Sequence, residues 1–240
     1  MSHIKNMQNF DKVIAVCTGL GGNYNPRKQN LRVESLTALL NNAHSALMSL
    51  KVAKTNFEYA TNYREVAFSN LPMLTSRIIS ELKSAGVLVQ TVDDARYIQR
   101  KLTGFRISRD PVAPEKEDVT ASKKKFIAKG MDYTTLADNF AKLLQTLRSE
   151  PMYQPVPDDL KLPALEAKLS DLRAKNAEVV RTAVELKAAR LHRDELLYLQ
   201  QGNVHETFLA VKQTVRAAYG YGSQQYKALV GVRFYKSATA

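Results

Sequence analysis

NYNPRKQNLRVESLTALL, residues 23–40, and MYQPVPDDLKLPALEAKL, residues 152–169, carry the same pattern twice in one chain of 240 residues. Each has a Tyr-x-Pro turn and then the start of an amphipathic helix. With Tyr24 set on Tyr153, Pro26 meets Pro155, Leu31 meets Leu160, Val33 meets Leu162, Leu36 meets Leu165 and Leu40 meets Leu169. The same register carries on to Phe57 with Leu186, Ala60 with Ala189, Arg64 with Arg193 and Phe68 with Leu197. One residue out of step, NFDKVI at 9–14 matches NFAKLL at 139–144; downstream, KLTGFRI at 101–107 matches ALVGVRF at 228–234. The copies cover roughly 9–107 and 139–234, far longer than a solenoid repeat.

Each copy predicts the same succession of elements. A short helix (8–17 or 132–149) leads into the Tyr-x-Pro turn, where the residue before proline is pushed out of helical geometry. A long helix follows, 33–70 or 162–201. Its stripe positions stand at 33, 36, 40, 43, 47 and 50, and at 162, 165, 169, 172, 176, 179, 183 and 186, all apolar but Asn176, the three-and-four spacing of helices packed lengthwise. Pro163 falls in the first turn, where a missing N–H costs nothing. SNLP at 69–72 and QQGN at 200–203 break the long helices at matching places. Returning helices are predicted over 73–85 and 204–218, stopped by Gly86 and Gly220. Short last helices, 92–103 and 223–230, begin at Thr91 and Ser223 as N-caps. Between the copies, 108–131 is charged, holds two prolines and reads as a solvated linker.

The domains expected are therefore 1–107 and 132–240, two helical repeats joined by that linker. A single amphipathic helix cannot bury its own stripe. The expected fold is all-α: an elongated antiparallel bundle of two tandem copies related by pseudo-two-fold symmetry, the long helices side by side and the returning helices closing the core. Few glycines, no tryptophan and abundant Leu, Ala, Lys, Glu, Arg and Gln agree with helix and not with a sandwich of tight turns. Asn176, a polar residue on the stripe, is placed to set helix register.

No catalytic or cofactor constellation accompanies this frame. His3, His44, His192 and His205 show no metal-ligand spacing. Cys17 is the single cysteine, on an apolar run, and reads as core. TGLGG at 18–22 lacks the lysine and the helix start that a phosphate cradle needs. Asp93–Asp94 and Asp158–Asp159 stand at helix starts, where the dipole explains acids. The expectation is a protein with no enzymatic activity, no cofactor and no small-molecule substrate. The lone cysteine fits a reducing cytoplasm, and no apolar run is long enough to span a bilayer.

The formal net charge is +12, which favours anionic partners. Residues 24–106 hold twelve Lys or Arg against six acids, residues 150–240 thirteen against ten, so the first copy offers the better basic surface. The candidate anion or nucleic-acid contacts are Arg27, Lys28, Arg32, Arg96, Arg100, Lys101, Arg106, Lys123, Lys124 and Lys125, with the repeat-matched Arg64 and Arg193. Without a groove-reading motif only sequence-independent phosphate binding is open to them. The leading expectation is a structural or scaffolding bundle with a protein partner or itself as partner; the second is a nucleic-acid binder.

The turn at 24–26, VDDARYIQRKLTG at 92–104, NFAKLL at 139–144, EPMYQP at 150–155 and SQQYKALVGVRF at 223–234 resemble motifs of one family. Its members are internally duplicated helical proteins of unknown function from bacteria of the Bacteroidota type. The resemblance spans nearly the whole chain. It implies a helical duplicated fold and brings no established activity to carry over.

Overall fold

In the computed structural model, residues 2–103 and 132–235 are described, and among them every regular element is helical. The linker 108–131 lies outside them. The α-helices are α1 (Ser2–Gly19), α2 (Val33–Ser69), α3 (Leu71–Ser84), α4 (Val89–Thr103), α5 (Tyr133–Arg148), α6 (Leu162–Asp194), α7 (Val204–Tyr219) and α8 (Gln224–Val230). Single 3-10 turns stand at Gly21–Asn23, Gln29–Leu31 and Asp158–Leu160, and a π turn at Glu195–Leu199.

The described chain forms two compact units. One takes Met1–Phe57 and Thr182–Ala240, the other Glu58–Arg181. Each unit thus draws on both halves of the chain: α2 gives 33–57 to the first and 58–69 to the second, and α6 gives 162–181 to the second and 182–194 to the first.

In the first unit α1 buries Met7, Phe10, Ile14 and Cys17, steps of three and four that put them on one face. They meet Leu36, Leu40 and Ala43 of α2 and Val204, Phe208, Val211 and Val215 of α7; α8 adds Leu229. α7 lies close to α1, α8, the π turn and the Gln29–Leu31 turn. In the second unit α4 lies close to α3 and α5. Its core joins Ile78 and Leu82 of α3, Ala95 of α4, Phe140, Leu143 and Leu147 of α5, and Leu165 and Leu172 of α6. Leu36, Leu40 and Ala43 of the α2 stripe and Leu165 and Leu172 of the α6 stripe therefore pack with the short helices of their own unit.

The Tyr-x-Pro turns have a feature the sequence pattern did not disclose. Tyr24 is buried and its hydroxyl donates to the Leu31 carbonyl at 2.9 Å; the Tyr153 hydroxyl donates to the Leu160 carbonyl, also at 2.9 Å. Both hydroxyls close a loop over a buried proline, Pro26 or Pro155, and a 3-10 turn. Arg32 and Lys161 then leave that turn in extended geometry, and their carbonyls accept the first helical bonds, from Leu36 and Leu165. Proline shapes the loop, while the long helix starts after the carbonyl that tyrosine holds.

The interruptions differ in kind. α2 stops at Ser69 and α3 starts at Leu71, with Pro72 inside its first turn. α6 instead runs into the π turn, where the Gln200 N–H reaches the Glu195 carbonyl at 3.0 Å. Gly202 then takes φ +75°, in the left-handed region open to glycine. Asn203 caps α7 by accepting from the Glu206 N–H at 2.8 Å, and the Glu206 carboxylate accepts from the Gly202 N–H at 2.9 Å. Ser223 caps α8 as expected, accepting from the Tyr226 N–H at 3.1 Å. Thr91 does not cap: α4 begins at Val89, because the Leu88 carbonyl already accepts from the Val92 N–H at 3.1 Å.

Candidate functional site

The expected basic residues fall into separate groups. Arg27, Lys28 and Arg32 are exposed around the first Tyr-x-Pro turn, in the first unit. Arg96, Arg100 and Lys101 stand together on α4, in the second. Arg96 pairs with Asp93 at 2.8 Å, and the Lys101 ammonium sits 4.3 Å from the Tyr97 ring centre. Arg106, Lys123, Lys124 and Lys125 lie outside the described residues.

The matched arginines have different partners. The Arg64 guanidinium stacks 4.1 Å over the Tyr133 ring, which meets Phe68 edge-on at 4.9 Å. The buried Nε of Arg64 has no hydrogen-bond partner. Arg193 makes a forked pair with its neighbour Asp194, both hydrogen bonds at 2.9 Å. Asn176, expected to set register, has a buried Oδ1 without a hydrogen-bond partner.

Among the described residues no group of three or more His, Cys, Asp and Glu could hold a metal ion, and no helix is long and apolar enough to cross a membrane. Cys17 is buried, and burial pushes its thiol up to about 11. A shallow groove of about 510 Å³ opens between α3 and the second Tyr-x-Pro turn, lined by Met73, Ser76, Ser80, Glu81 and Pro157. Arg77 and Asp159 form an ion pair beside it, which holds the Asp159 carboxyl below its ordinary value. Both side chains are well exposed, so the pair adds little stability.

A polar cluster lies in the first unit, at residues that no sequence motif groups together. The π turn carries Tyr198, and the Asn6 amide donates to its hydroxyl at 3.0 Å. The Tyr198 hydroxyl is 2.8 Å from His3 Nδ1 and donates to it when the neutral imidazole carries its proton on Nε2. Burial first, and Arg193 second, push the His3 pKa below its ordinary value, which favours that neutral ring. The same Asn6 amide grips main chain: its Nδ2 also donates to the Tyr235 carbonyl at 2.7 Å, and its Oδ1 accepts from the Tyr235 N–H at 2.8 Å. Asn9, one turn along α1, donates to the Arg233 carbonyl at 2.6 Å. Residue type alone gave a signal here, since two asparagines on the apolar face of α1 need partners. What they bind is more than 220 positions away, at separations of 229 and 224, and no local pattern reports that.

No family model matches the chain, and neither a curated protein nor a solved structure matches it.

Proposed function

We propose that the protein is a non-enzymatic helical scaffold that acts through the outer faces of its long helices and associates with itself. The observation that carries this reading is an apolar face on α2. In the second unit Tyr59, Tyr63 and Val66 are 58%, 62% and 70% exposed. At i, i+4 and i+7 they share an arc of about 60° on the helix, at about 100° per residue. In the first unit the same helix exposes Met48 and Val52, again four apart. Single exposed apolar residues are ordinary, but an aligned row is the mark of an association seam.

On this reading the chain is a tandem duplication with pseudo-two-fold symmetry, one of the duplicated helical proteins it resembles, and its work is cytoplasmic. The paired hydroxyl-to-carbonyl bonds of Tyr24 and Tyr153 support the duplication. The test is sedimentation equilibrium of the whole chain. The parent sediments as a defined oligomer, and Tyr63→Glu with Val66→Glu shifts it to the monomer with its helix content unchanged. A monomeric parent at micromolar concentration refutes the reading.

The second reading, a sequence-independent nucleic-acid binder, is favoured by the exposure of Arg27, Lys28 and Arg32 on a chain of net charge +12. Three phosphate contacts give a slope of log K against log salt of about −2.7 on duplex DNA. Absence of binding at about 0.15 M salt counts against it.

A further inference from the structure

The segment Val232–Tyr235 is held in the first unit by side chains that read its main chain. Asn6 takes both backbone groups of Tyr235, Asn9 takes the Arg233 carbonyl and the Lys212 ammonium takes the Val232 carbonyl. None of these bonds uses a side chain of the segment. Side-chain selection falls on Phe234, whose ring lies 5.2 Å from His205, 5.4 Å from Phe208 and 6.0 Å from Tyr198. Arg233 and Tyr235 are exposed, the latter with Lys5 5.3 Å from its ring centre.

The seat and its occupant differ in burial. With the segment in place Asn6 is 0% exposed and Asn9 9%, so taking the segment away leaves both amides to find new partners, which is costly. The segment is neither helix nor strand, and every residue of it is at least partly exposed. A buried polar seat with a surface occupant is the arrangement of a receptor and its peptide, here in one chain.

We propose that this seat is a binding site for a short non-helical peptide with an aromatic third residue, and that its occupant in trans is the Val232–Tyr235 segment of a second copy of this chain. The proposal goes beyond the scaffold reading and does not use the α2 face. A tethered segment competes at a millimolar effective concentration, so in dilute solution each copy fills its own seat. Weakening the tethered segment opens the seat to another.

The experiment uses the whole chain carrying Phe234→Ala, which removes the anchor ring, or Tyr235→Pro, which removes the N–H that Asn6 accepts. The probe is a fluorescein-labelled peptide of sequence GVRFY, followed by anisotropy. Both variants are expected to bind it saturably, at least about 10-fold more tightly than the parent does. Adding Asn6→Ala to Phe234→Ala, or replacing the peptide's Phe by Ala, is expected to abolish binding. The proposal is overturned if the folded variants bind no peptide up to millimolar concentration, if Asn6→Ala leaves binding intact, or if the parent binds as well as the variants. It is equally overturned if both variants unfold, because an exchangeable ligand is not required for folding. Sedimentation of Phe234→Ala, compared with the α2 variants, separates failure here from failure of the scaffold reading.

Discussion

Replacing Tyr153 by Phe removes one oxygen and leaves the ring in place. The Tyr153 side chain is 6% exposed, and its hydroxyl bonds to the Leu160 carbonyl inside the turn that launches α6. Burial, with Glu81 and Asp159 adding to it, pushes the phenol up to about 12, so it stays a neutral donor across the physiological range. The substitution loses a buried hydrogen bond worth about 1 kcal/mol and leaves a carbonyl short of a donor, so the expected cost is about 1–2 kcal/mol. The ring still packs, so no cavity term is added. Tyr24→Phe removes the matching bond to the Leu31 carbonyl and is expected to cost about as much. Each acts in its own unit, so the double variant is expected to lose about the sum. Urea unfolding followed by circular dichroism reads this as a lower midpoint at unchanged slope, with the melting temperature down by roughly 3–5 °C per kcal/mol. Costs below about 0.3 kcal/mol at both positions would refute the reasoning, since the hydroxyls would then not be holding the turns.

Three further outcomes follow from named contacts. Asn203→Ala removes the cap of α7 and the two bonds its amide gives to the Tyr198 and Gln200 carbonyls, so it is expected to cost about 1–2 kcal/mol, read by thermal melting. His3 is held neutral in the fold with its pKa lowered from 6.5, so the unfolded chain takes up a proton that the folded chain resists. Stability is therefore full above about pH 6.5 and falls as the pH drops from there towards the folded-state value. His3→Gln should flatten that fall in urea titrations across pH 5–7. Cys17, buried and with its thiol pushed up to about 11, should react with a thiol reagent at neutral pH only as fast as the unit opens, so the rate should rise with urea.

The helices were legible because their signals are local. Three-and-four spacing marks the core faces of α2 and α6, Gly86 and Gly220 stop α3 and α7 at positive φ, and Ser223 caps α8. Thr91 misled because a good cap residue is also tolerated inside a first turn, and the Leu88 carbonyl had already begun the helix. The π turn at Glu195–Leu199 leaves no periodic mark, since one extra residue merely blurs the stripe. The candidate seat was out of reach for a different reason. Asn6 falls outside the helix expected over 8–17, and the partners of Asn6 and Asn9 stand 229 and 224 positions away. The division into units was hidden likewise. The matched patterns read 9–107 and 139–234 as consecutive segments, whereas contacts group α1 with α7 and α3 with α5 through α4.

That interleaving is the claim on which the rest depends, and hydrogen exchange of a core variant tests it most directly. Phe140 is fully buried on α5, and Phe140→Ala is expected to cost about 3–5 kcal/mol. Protection should fall in α3, α4, α5 and the first half of α6, while α1 and α7 keep theirs. Loss of protection in α7 and α8 together with α5, and none in α3, would contradict the account.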